Sequence, residues 1–99
     1  MNMQALMKQA QTLQKDMTKA KEEIDKTIFE GENALVKIKI NGKKDIVSVE
    51  IDKTNPLDKD DIEMLEDMIT VALNNANKQV DKMTEEKMGK FGNNIPGLF

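Results

Sequence analysis

The chain has 99 residues, a net charge of −3 and 38% hydrophobic content, with no cysteine, histidine, tryptophan or tyrosine. That suits one small domain and removes disulfides, thiolate and imidazole catalysis, and the usual soft metal sites. All fifteen cations are lysines, which act as point charges on phosphate and lack the planar fork with which arginine reads guanine.

The charge is unevenly placed. Lysines stand against acids five to four in residues 1–26, five to five in 27–57 and four to nine in 58–88, with Lys90 alone after that. The acidic balance argues against strong nonspecific attraction to nucleic acid, though not against a local basic surface. The polar N-terminus predicts neither a signal peptide nor a membrane-spanning run, so a cytoplasmic location is expected.

Met3, Leu6, Ala10, Leu13, Met17, Ala20 and Ile24 recur at spacings of 3 and 4, a coiled-coil-like stripe uninterrupted by Gly or Pro. A helix from Asn2 to Asp25 would be about 35 Å long, as long as a compact domain of this size is wide. Such a helix either lies along the sheet or sends its distal part out to meet a partner helix.

Thr27–Gly31 reads as a first short strand and Glu30–Asn33 as the turn after it. From Ala34 to Ile51 the residues alternate. Val36, Ile38 and Ile40 share one face, Lys37 and Lys39 the other, and Val47, Val49 and Ile51 repeat the pattern beyond Asn41-Gly42. A two-residue turn there would place Lys39 opposite Lys44. A four-residue loop, Asn41 to Lys44, pairs Ile38 with Val47, Val36 with Val49 and Ala34 with Ile51, and is preferred because it avoids that repulsion.

Asn55-Pro56 ends the third strand. Asp58 or Asp60 can cap the next helix, whose positive end suits Asp60, Asp61 and Glu63. Its apolar residues run from Ile62 through Leu65, Ile69, Ala72, Leu73, Ala76 and Val80 to Met83. A second stripe of Met64, Met68 and Val71 is confined to the first half. The first half should therefore be buried on two sides, and the far end left uncovered. Gly89 closes the helix, and residues 89–99 read as a flexible tail behind a domain of residues 1–88.

Catalysis finds no support: Ser48 and the threonines have no histidine to activate them, and no glycine-rich phosphate loop exists. The acidic cluster Asp58, Asp60, Asp61, Glu63, Glu66 and Asp67 is explained by capping and a solvated face rather than by a calcium loop. No cofactor, metal, membrane or small-molecule partner is expected. The candidate functional residues are lysines off the apolar stripes: Lys8, Lys15, Lys19 and Lys26 in the first helix, with Lys78, Lys82 and Lys87 in the second. Each taken alone fits a solvated face; together, in a dimer, they could line a cleft for phosphates. Val36, Ile38, Val47, Val49, Met64, Met68 and Val71 are the candidate dimer-interface residues.

Leu35-Val36-Lys37-Ile38 before Asn41-Gly42, then Val49-Glu50-Ile51-Asp52, Asp61 to Ile69, Ala72-Leu73-Asn74-Asn75-Ala76 and the closing Ile95-Pro96-Gly97-Leu98-Phe99 together resemble the bacterial YbaB/EbfC nucleoid-associated proteins over nearly the whole chain. Glu32-Asn33-Ala34 stands where that family usually has a glycine-rich turn. The resemblance implies an α-β-β-β-α, two-layer α+β protomer, a tweezer-shaped homodimer and double-stranded DNA held by projecting helices at the nucleoid, without enzymatic activity. The alternative is a protein-interaction adaptor whose exposed helical stripes bind another protein.

Overall fold

A computed structural model describes residues 2–91 of the chain, in the order α1 (Met3–Lys26), β1 (Phe29–Asn33), β2 (Val36–Ile40), β3 (Ile46–Ile51) and α2 (Ile62–Met88). The three strands form one antiparallel sheet in sequence order, with α2 laid across β1 and β2. This is the expected α+β arrangement. A 3-10 turn over Gly89–Phe91 follows α2, and the rest of the expected tail lies outside the described residues.

Helix α1 begins where Asn2 caps it, its side chain accepting from the amides of Gln4 and Ala5 at 3.0 and 3.4 Å. The Thr27 hydroxyl closes the last turn on the Glu23 carbonyl at 2.6 Å. A cap at Asp58 likewise starts the second helical segment, with Asp61 reaching back to the Asp58 amide.

The core lies between sheet and α2: Phe29, Val36, Ile38 and Ile40 face Ala72, Ala76 and Val80, with Leu65, Met68, Ile69, Leu73 and Met83 packed around them. The small Ala72 and Ala76 allow the helix to descend onto the backbone of β1. A Cβ at Gly31 would stand 1.9 Å from the Ala72 carbonyl oxygen and 2.7 Å from the Ala76 nitrogen. Gly31 is thus not in a turn, as its neighbours in sequence predict, but buried inside β1; the turn falls at Ala34-Leu35.

The hairpin register also differs from expectation. Val36 pairs with Ile51, Ile38 with Val49 and Lys39 with Ser48, and then a bulge brings Ile40 opposite Ile46. The loop has five residues instead of four because Asn41 organises it. Its side-chain oxygen accepts from the amides of Lys43 (2.9 Å) and Asp45 (3.1 Å), and its own amide donates to the Asp45 carbonyl. Lys37 thereby faces Glu50 on one side and Glu32 on the other, a better answer to lysine repulsion than either register suggested by alternation.

Helix α2 departs from expectation too. Its far half is covered, with Val80 and Met88 buried, whereas Ile62, Met64 and Val71 in the near half are exposed. Sheet, hairpin loop and the end of α1 all gather at the far half: Lys44 meets Asp81 at 2.9 Å, and a Cβ on Gly42 would strike the Ile24 carbonyl oxygen.

Candidate nucleic-acid interface

Helix α1 leaves the body. Every residue from Asn2 to Asp16 is exposed, cover begins at Met17, and only Ile24 is buried. The described residues consequently extend 71 Å by 19 Å by 15 Å. Nothing in this stretch breaks a helix, and among the described residues nothing packs on it.

At 3.6 residues per turn, Lys8, Lys15, Lys19 and Lys26 fall within about 40° of one another around α1, roughly opposite the apolar stripe. Their spacings of 7, 4 and 7 lay out a row about 27 Å long. All four are exposed, and none is ion-paired among the described residues. Gln4 and Gln11 flank the row.

On α2, Lys78 and Lys82 are exposed and one turn apart. They continue the helical row that begins with Met64, Met68 and Val71, so a flank that is apolar in the near half becomes basic in the far half. Lys87 is different. It joins Glu23 of α1 at 3.1 Å, pinning the two helices where they meet. The hydrogen bond and charge of Lys87 hold the Glu23 carboxyl below the ordinary glutamate range, with weaker pulls from Lys19 and Lys90. The structure thus gathers four of the seven candidate lysines into one row, sets two on another helix and gives the seventh a partner within the protein.

Two candidate interface residues, Val36 and Ile38, are wholly covered inside the protomer and are not available to a partner. Val47 and Val49 of β3 are half exposed, as are Met64 and Val71 of α2, while Met68 packs partly on the core. Ile46 and Leu57, which no apolar pattern singled out, add open apolar surface, as does Ile62 at the start of the α2 stripe. Leu57 follows Pro56 in a loop and belongs to no periodic stripe, so no spacing marked it. Among the described residues no group of three or more Asp or Glu is placed to hold a metal. Among the same residues, no helix is long and apolar enough to cross a membrane.

A model of the YbaB/EbfC DNA-binding family matches residues 1–95. A nucleoid-associated protein of Ligilactobacillus salivarius is 45% identical, the match covering 99% of this chain and 95% of that protein. One from Lactococcus lactis subsp. lactis is 46% identical over 97% and 98% of the two chains. The fold is shared with the crystal structure of an uncharacterized protein from Helicobacter pylori, at a TM-score of 0.74 and 20% identity, covering 92% of this chain and 97% of that one.

Proposed function

The chain belongs to the YbaB/EbfC DNA-binding family, and from that membership we propose a homodimeric nucleoid-associated protein that holds double-stranded DNA through lysines on its helices, with low sequence specificity. The observation that carries this reading is the free lysine row of α1. Lys8 and Lys15 stand clear of the body on the stretch of α1 that no described residue covers, and Lys19 and Lys26 continue the row, still exposed, where the helix meets the body. A row of about 27 Å spans roughly eight phosphates of one strand at about 3.4 Å each. Lysines without arginine supply charge and little base discrimination, which is why specificity should be low.

The second copy is argued from apolar surface. Val47 and Val49 on β3, with Met64, Met68 and Val71 on α2, flank a core that covers only part of the sheet, and Ile46, Leu57 and Ile62 enlarge what stays open. Contiguous open apolar surface on a small protein usually marks an association site. Lys78 and Lys82 continue the α2 row beyond that surface, so both copies would present them along one seam. The reading involves no catalytic step or cofactor, and it places the protein with DNA at the nucleoid, in the cytoplasm, where it would affect nucleoid organisation or gene expression. A protein-interaction adaptor is the second reading, favoured by the exposed Met3, Leu6 and Leu13.

A duplex-DNA titration across salt concentrations tests the proposal. Binding should weaken steeply with salt, and Lys8→Glu, Lys15→Glu, Lys19→Glu and Lys26→Glu combined should flatten the log–log slope by about 0.9 for each phosphate no longer neutralised. Absence of binding at about 50 mM salt would overturn the DNA reading in favour of the adaptor.

A further inference from the structure

Among the described residues the apolar stripe of α1 has no partner over the half that leaves the body. Met3, Leu6 and Leu13 are 68%, 43% and 46% exposed, and the uncovered stretch ends sharply where Met17 begins to be covered. The stripe lies roughly opposite the lysine row, so its occupant and a phosphate backbone would not compete. A second feature sits at the same end: the first turn of α1 contains no acidic residue, leaving the positive end of a long helix without a negative neighbour on its own side.

We propose that the free half of α1 pairs in antiparallel fashion with the free half of α1 from a second copy. In heptad terms Met3 and Ala10 occupy a, Leu6 and Leu13 occupy d. Setting Met3 against the second copy's Leu13, and Leu6 against its Ala10, fills the layers with apolar side chains along the whole overlap. In that register Met7 meets the second copy's Met7 on one flank of the seam, and Gln9 meets its Gln9 on the other. Asp16 then stands beside the second copy's first helical turn and supplies the negative charge it lacks. The overlap runs from the start of each helix to residues near Asp16, so it consumes the exposed stretch and stops where each body starts. A parallel pair would instead bring both bodies to the same end.

The contact is about 22 Å long, short for a stable interface, so the pairing is concentration-dependent. It uses a different surface from the β3 and α2 face proposed for the dimer. Two separate two-fold surfaces on one chain link copies into an open array. The pairing does not depend on DNA binding.

The absence of cysteine makes a direct test available. Met3→Cys and Leu13→Cys change exposed positions, and unchanged circular dichroism would confirm folding. Equal mixtures under mild oxidation should give the mixed disulfide in severalfold excess over either self-disulfide, because the two position-3 thiols of an antiparallel pair would lie about 15 Å apart. Lys15→Cys, on the opposite side, is the collision control. Self-disulfides in excess would indicate parallel pairing and overturn the proposal, as would mixed product no greater than that formed with Lys15→Cys. Adding Asp16→Lys should lower the mixed yield severalfold; an unchanged yield overturns the register.

Discussion

Gly31 shows how one hydrogen atom sets the position of a helix. Its missing side chain lets the Ala72 and Ala76 turn rest directly on β1, and the Gln79 side chain then donates to the Glu30 carbonyl at 2.7 Å on the strand's edge. Gly31→Ala must push α2 off the sheet, because the obstacle is backbone; we expect a loss of about 3 kcal/mol or more, read as a lower urea midpoint. Ala34 offers the opposite case. Its φ of 50° lies in the left-handed region that penalises a Cβ by about 1–2 kcal/mol. Ala34→Gly relieves that strain and gives back part of it as unfolded-state entropy, for a net gain of about 0.5–1 kcal/mol in the same measurement. Glu23 sets a pH dependence. Its carboxyl is held low in the folded state by Lys87, so the stability it contributes is present above its unfolded pKa and disappears as pH falls through the folded one. Lys87→Met should therefore lower Tm at neutral pH, and the difference from the parent should fade as pH falls through and below the ordinary glutamate range.

Helix α1 is one continuous element with two environments, and its dynamics should divide accordingly. From Asn2 to Asp16 no other described residue covers it, and an isolated helix of about fifteen residues is marginal in water. At concentrations too low for α1 pairing, amides up to residue 16 should exchange in hydrogen–deuterium experiments far faster than those of residues 72–88 in α2, which close over the core. Equal protection would mean that something covers α1 in solution. The element boundaries of both helices could be read from Asn2, Asp58 and the apolar spacings, since capping and periodicity are local. What spacing could not say was which neighbour each element meets. Gly31 looks like a turn residue until α2 is laid on it, and Gly42 looks like half of a tight turn until α1 ends against it. The bulge at Ile40 follows from hydrogen bonds of Asn41 that no alternation pattern encodes. In the candidate site, the row of four lysines on α1 followed from spacing alone, while the engagement of Lys87 with Glu23 depended on how two distant segments meet.

As a whole the described residues are stretched: their radius of gyration is 19.5 Å, against about 13 Å for a compact domain of about this length. An elongated protomer pays for its reach with a core of few residues, so a second copy seated on the open apolar surface should be part of what keeps it folded. Val49→Asp together with Met64→Asp places charge in that surface without touching the lysine row. At concentrations too low for α1 pairing, the parent should scatter light as twice the 11.2 kDa chain and show a Tm that rises with concentration, whereas the variant should lose both properties. A parent mass of one chain at micromolar concentration would exclude the dimer. DNA then separates architecture from charge. Each copy contributes one α1 row, so the dimer engages two rows on the same duplex and the second engagement is intramolecular. The monomeric variant keeps every lysine, yet its salt slope should fall to about half and its affinity by about 100-fold or more, while the α1 charge-reversal variant should lose most of the slope and stay a dimer.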